Sequence, residues 1–115
     1  MAFHKAKRKF GREKNQRRAL LKSLAYSLAL KEKIKTTEEK AKSLRPFMEK
    51  LVTLGKKDNQ PSRRLLEARV GVSAAKKIAS DLSPRYKGRA GGYTRITKIM
   101  PRKSDGAKMA VIEFV

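Results

Sequence analysis

The chain has no cysteine, a single histidine, and only ten acidic residues among 115. Without cysteine there is no disulfide framework, no thiolate nucleophile and no cysteine-based zinc site. The one histidine, His4, sits in a basic N-terminal stretch with nothing to orient it as a general base. Five of the ten acids fall between Lys31 and Gln60. Glu38 and Glu39 there suit the first turn of a helix, and the others are spaced as surface charges, so no convergent carboxylate pair is expected. A metal site lacks ligands. No apolar run approaches the roughly 18 residues of a membrane-spanning helix, and no apolar core follows the basic N-terminus as it would in a secretion signal. The glycine-rich KGRAGG, from Lys87 to Gly92, matches neither a Walker loop nor a dinucleotide fingerprint, because its glycines are differently spaced and no strand leads into it. The expectation is a chain that is not an enzyme, takes no cofactor, metal or small-molecule substrate, and has no membrane partner.

What is abundant is positive charge. Thirty-one Lys and Arg residues give a formal net charge of +21. A chain so charged repels itself unless a polyanion covers it, and nucleic acid is the commonest polyanion. The charge is segregated. Residues 1–18 hold eight bases and one acid, residues 84–108 again eight and one, whereas residues 31–60 hold nine bases with five acids. The mixed middle suits a solvated scaffold with helical pairs such as Glu38–Lys42 and Arg45–Glu49. The two nearly pure cationic stretches suit phosphate contact.

The length fits one domain with a modest core. Residues 1–11 show no periodicity and are expected to be an extended basic arm, with residues 12–115 forming a single two-layer domain. Leu20, Leu24 and Leu28 recur at helical spacing over residues 12–30. A short strand around Ile34 follows. The next helix starts at the Thr36-Thr37-Glu38-Glu39 run, with a capping box from Thr36 to Glu39 or Thr37 as the cap. It carries Ala41, Leu44, Met48, Leu51 and Val52 on one face, ends at Gly55, and is expected to kink or split at Pro46. Two further helices are expected, one from Ser62 to Val70 and one capped by Ser73 and ended by Ser83-Pro84. Two β-rich runs, residues 93–100 and 108–115, flank a hairpin turn at Ser104-Asp105-Gly106. The fold class is therefore α+β, in the order α-β-α-α-α-β-β, with helices on one face of a small mixed three-stranded sheet.

Three groups of residues are candidates for phosphate or base contact. The first is the N-terminal stretch with His4, Lys5, Lys7, Arg8, Lys9, Arg12, Lys14, Arg17 and Arg18, whose guanidinium forks hold phosphate bidentately. The second is the glycine-rich loop with Arg85, Tyr86, Arg89, Gly91, Gly92, Tyr93 and Arg95, followed by Arg102 and Lys103. Glycine lets backbone amides approach phosphate, and the tyrosines could stack on a base, the alternative being a connector with Tyr93 in the core. The third is Lys35, Thr36, Lys40 and Lys42 around a helix N-terminus, where capping competes with anion binding.

Several of these residues lie in motifs that resemble a known family. IKTTEEKAK with LVTL a helix-length later, the GRxxxxRRALLKSL pattern from Gly11 to Leu24, RAGGYTRI from Arg89 to Ile96, and the closing RKSDGAKMAVIEFV are similar, in order, to the bacterial-type ribosomal large-subunit protein seventeen family. The resemblance covers essentially the whole chain. It departs at the start, where the family has Met-Arg-His-Arg and this chain has MAFH, and at Gln16, where the family has histidine. The resemblance implies a small α/β two-layer fold and a structural constituent of the large ribosomal subunit that binds large-subunit ribosomal RNA beside neighbouring ribosomal proteins. It places the protein in the ribosome, in the cytoplasm or an organelle. Charge alone would equally support a DNA-compacting architectural protein, and the helix over residues 12–30 a membrane-surface one.

Overall fold

The structure, a computed structural model, describes the backbone of residues 2–115 and the side chains from Lys14 onward. Helix α1 spans Ala2–Lys31. Residues 2–11, expected as an extended arm, thus have helical backbone continuous with the next turns. Their lysines, arginines and alanines are good helix formers, and no proline interrupts them. Met1 lies outside the described residues. Among the described side chains, the apolar stripe of α1 is fully buried only at Ala25, Leu28 and Ala29, while Lys14 through Leu20 are exposed.

α1 stops at Glu32, which has φ of 64°. That left-handed position after a helix is usually glycine. The Glu32 amide donates to the Leu28 carbonyl at 2.7 Å, and its own carbonyl accepts from the Phe114 amide at 3.2 Å. Its carboxylate meets Arg85 at 2.5 Å and Lys77 at 3.0 Å, contacts that a glycine could not make. These cations, Arg85 first, hold the Glu32 carboxyl at about 2, well below the carboxylate range, and the same contact raises Arg85. A carboxyl depressed on folding adds stability above its unfolded value of about 4.5 and loses it as pH falls towards 2. The side chain is about one-third exposed, so solvent screening limits the gain to about 1 kcal/mol. Glu32→Gln is therefore expected to lower stability by about 1 kcal/mol at pH 7. The deficit should shrink below pH 4.5 in urea titrations at stepped pH, and one that persisted to pH 2 would assign it to packing instead.

Strand β1, Lys33–Thr37, leads directly into α2, Glu38–Gly55. Thr37, not the Thr36 of the capping box, is the cap: its hydroxyl accepts from the Lys40 amide at 3.3 Å. Strand alternation explains the choice, since Thr36 points into the core while Thr37 points away from it. α2 runs unbroken through Pro46, which lies on its exposed side. The inward stripe Ala41, Leu44, Met48, Leu51 and Val52 is fully buried. Leu51→Ala is expected to cost about 2–5 kcal/mol, read as a shift in the urea midpoint; a change under ~1 kcal/mol would place Leu51 outside the core.

Helix α3, Gln60–Val70, begins two residues before the expected Ser62. Asn59 caps it by accepting from the Ser62 amide at 2.9 Å, and Pro61 occupies its first turn, where a missing N–H costs nothing. Gly71, with φ of 90°, turns the chain into α4, Val72–Lys77, so Ser73 lies inside the helix and is not its cap. The helix does not end at Ser83-Pro84. It widens into a π-type turn over Ile78–Leu82, where the Ser83 amide bonds the Ile78 carbonyl, and continues as α5, Ser83–Arg85. A proline ring would clash with the carbonyl four residues back in an α-helix, and the wider turn relieves this.

Strands β2, Thr94–Ile99, and β3, Met109–Phe114, complete a sheet of order β1-β3-β2. The sheet is antiparallel throughout, where a mixed one was expected. The β2–β3 hairpin turns at Gly106, φ 71°, with Asp105 Oδ1 accepting from the Ala107 amide at 3.1 Å. One face of the sheet carries the row Ile34–Ile112–Ile96 and lies against the helices. The other carries Lys33–Glu113–Arg95 and Lys35–Val111–Thr97 in register. Helices on one face of a small sheet were the expected architecture, and they are the observed one.

Candidate nucleic-acid interface

The carboxylates of the folded body are almost all engaged. Glu32, Glu38, Glu49, Asp58, Asp81, Asp105 and Glu113 take part in all the ion pairs found among the described residues. The two helical pairs expected from sequence form, Glu38–Lys42 at 3.0 Å and Arg45–Glu49 at 3.3 Å. Lys42 is the main cause holding the Glu38 carboxyl below its ordinary value, with Lys98 adding to it, and Arg95 does the same for Glu113, with Lys33 adding to it. Acids thus neutralise a subset of the cations and leave others without a carboxylate partner. Among the described residues Lys14, Arg18, Lys35, Lys40, Lys103 and Lys108 belong to that second set, and all are exposed.

The first candidate group lies on α1. Lys14, Arg17 and Arg18 are exposed, on turns that precede Ala25, the first buried position among the described side chains of that helix. The side chains of His4, Lys5, Lys7, Arg8, Lys9 and Arg12 lie outside the described residues.

The glycine-rich loop is where sequence and structure part most. Tyr93 is 1% exposed and Tyr86 5%. Their rings pack on each other with centroids 5.3 Å apart, and Tyr86 stacks on Phe114 at 6.2 Å. The Tyr93 hydroxyl meets Thr53 Oγ1 at 3.2 Å and accepts from Lys56 Nζ at 2.7 Å, while the Lys56 ammonium also lies over the ring. Lys56, then Thr53, hold the Tyr93 phenol below its usual range. The Tyr86 hydroxyl donates to the Val115 carbonyl. Base stacking needs an open ring face, so both tyrosines are core residues: Tyr93 as the connector alternative has it, and Tyr86 against expectation. The Gly92 amide, expected to face phosphate, instead donates to Glu49 Oε1 at 3.3 Å, and Thr94 donates to Glu49 Oε2 at 3.2 Å. Glu49 is a residue that sequence reasoning missed, because its spacing from Arg45 made it look like an ordinary surface pair.

The loop's guanidiniums remain at the surface. Arg85 is shared between Glu32 and Asp81, Arg89 donates to the Gly92 carbonyl at 3.2 Å, and Arg95 pairs with Glu113 at 2.8 Å. Arg102 meets Asp105 at 3.4 Å, and Lys103 projects beside it on the hairpin. Gly91 is half-buried and Gly92 exposed.

Of the third group, Thr36 is buried against the helices and offers no surface hydroxyl. Lys35 stands on the open face of the sheet beside Val111. Lys40 and Lys42 line one side of a groove between α1 and the start of α2, opposite Arg17.

Residues 20–115 match the protein family described as Ribosomal protein L17. The chain is 48% identical over 116 residues to a protein named large ribosomal subunit protein bL17 from Shouchella clausii, an alignment covering 93% of this chain and 97% of that one. A protein of the same name from Exiguobacterium sp. is 48% identical over 113 residues with the same coverage. One from Thermomicrobium roseum is 47% identical over 116 residues, covering 100% of this chain and 99% of its own.

Proposed function

Because the chain belongs to the ribosomal protein L17 family, we propose that it is a structural constituent of the large ribosomal subunit that binds large-subunit ribosomal RNA through phosphate contacts. The family is a structural one without enzymatic activity. The observation that carries the RNA reading is the division of charge just described. Carboxylates are consumed within the body, while Lys14, Arg17, Arg18, Lys35, Lys40, Lys103 and Lys108 stand at the surface. Cations in such positions gain by releasing the counterions of a polyphosphate.

In this reading the N-terminal stretch, residues 1–11, and the exposed turns of α1 extend from the domain of residues 12–115 into RNA. Arg89, Arg95, Arg102 and Lys103 contact a second RNA segment from the glycine-rich loop, β2 and the hairpin, and the compact body bridges the two. Gly91 and Gly92 shape the loop that carries Arg89, whereas Tyr86 and Tyr93 support it from the core, and Thr36 is buried under the start of α2. Most contacts position the protein without reading bases. Neighbouring large-subunit proteins complete its surroundings, and the ribosome of the cytoplasm is its place.

Sedimentation of a lysate tests the assignment. The protein should travel with the large ribosomal subunit through a high-salt wash. Recovery free, or with chromosomal DNA, would sink it and favour an architectural DNA-binding role.

A further inference from the structure

The groove that Lys40, Lys42 and Arg17 line runs between α1, the start of α2 and the β2–β3 hairpin. It measures about 830 Å3. Its apolar floor is Leu20, Leu21 and Leu24 of α1, with Ala107 of the hairpin. Leu20 is 39% exposed, while Leu21 and Leu24 are half-buried and pack against the edge of the core, so the apolar stripe of α1 presents an open side to the groove. The walls are basic: Arg17 on one side, Lys40 and Lys42 on another, Lys108 on the third. Of the two acids present, Glu38 is already neutralised by Lys42 at 3.0 Å and Lys98 at 3.6 Å, which leaves Glu39 alone against the remaining cations.

We propose that this groove is a subsite for one or two unpaired nucleotides of RNA, with the base and ribose over the leucine floor and the phosphates on the basic walls. The proposal rests on the RNA-binding reading above and adds to it which kind of RNA structure is selected. Three observations favour this occupant. The volume lies within the roughly 300–1,000 Å3 of sites that enclose a small organic molecule, a size that suits a nucleotide and not a duplex. The net sign of the walls matches a phosphate backbone. A second copy of this chain, at +21, would bring more of the same sign into the groove. Bases that can leave a stack occur in single-stranded loops and bulges, so a site with an apolar floor selects RNA by its unpaired positions, whereas the exposed cations of α1 do not discriminate.

The test uses the full chain and two hairpin RNAs, one fully paired and one with a two-nucleotide bulge. The bulged RNA should bind about tenfold more tightly, the low end of what a base stacked on an aromatic ring contributes, because a leucine floor offers burial without π-stacking. Leu20→Ser should abolish that preference and leave affinity for the paired RNA within about twofold, because it changes no charge. Its thermal unfolding should match the parent, since Leu20 is outside the buried core. A photoreactive benzoylphenylalanine replacing Leu20 in assembled ribosomes should then crosslink to RNA. Equal affinity for the two hairpins, an unaltered preference in Leu20→Ser, or a crosslink to protein would overturn the groove assignment while leaving general RNA binding intact. Failure of the parent chain to bind either hairpin in a salt-dependent way would instead overturn the RNA reading itself.

Discussion

Gly55→Ala is expected to be among the most damaging single-methyl additions in this protein. Gly55 is buried in the last turn of α2, and a Cβ built there would overlap the Ser83 hydroxyl and press on Ile78 Cγ2 at 3.1 Å and Ser83 Cβ at 3.2 Å. Those atoms belong to the π-type turn and α5, so the glycine sets how closely two helical segments approach. The Ser83 hydroxyl cannot simply move, because it donates to the Val52 carbonyl at 2.8 Å inside the core. Overpacking of this kind costs about 1–3 kcal/mol, and loss of the buried hydrogen bond adds about 1–3 kcal/mol. The gain in helix propensity, about 1 kcal/mol, offsets only part of this. Urea unfolding measures the outcome, with Gly88→Ala as a control at a site where an added Cβ meets nothing within 4 Å. Combining Gly55→Ala with Ser83→Ala should recover part of the loss, a coupling that a double-mutant cycle reads directly. A Gly55→Ala protein as stable as its parent would show that the helices can separate at no cost.

The second large effect is on binding. Replacing Lys14, Arg17 and Arg18 together by glutamine removes three exposed cations from α1. Each phosphate contact contributes about 0.7–0.9 to the slope of log affinity against log salt, so the slope should fall by about 2–3. At about 0.15 M salt that corresponds to roughly a hundredfold weaker binding to ribosomal RNA fragments. Glutamine is nearly as good a helix former as lysine or arginine, and none of the three is buried, so thermal unfolding should be unchanged. An unaltered salt slope would remove these turns from the RNA contact.

Much of the fold is legible in the sequence because leucines at helical spacing can be buried in only one way. The α2 stripe from Ala41 to Val52 was readable residue by residue, as were the order of elements and the turn at Gly106. What escaped depends on contacts between segments distant in the chain. Gly55 looks like a helix stop, yet its reason is Ser83. Tyr93 looks equally suited to a base or a core until Thr53 and Lys56 are brought beside it. The helix through Pro84 survives because the turn before it widens, a change that no local propensity signals. Strand faces were ambiguous because β2 carries threonine on both sides and β3 carries apolar residues on both sides. The cationic site was visible as charge, but which cations are neutralised follows from where the carboxylates land, as Glu32 with Arg85 illustrates.

The strand order β1-β3-β2 has a consequence for how the protein is made. The central strand, Met109–Phe114, leaves the ribosome that synthesises it after both of its partners, and within the sheet each partner hydrogen-bonds only to it. No sheet can begin to form from β1 and β2 alone, so Ile34 and Ile96 wait for Ile112. At roughly 5–20 residues per second, β1 would remain unpaired for seconds after its synthesis, with the helical layer lacking its floor throughout. A polyphosphate that captured the basic α1 early would hold the nascent chain in place during that interval, linking the order of synthesis to the order of assembly.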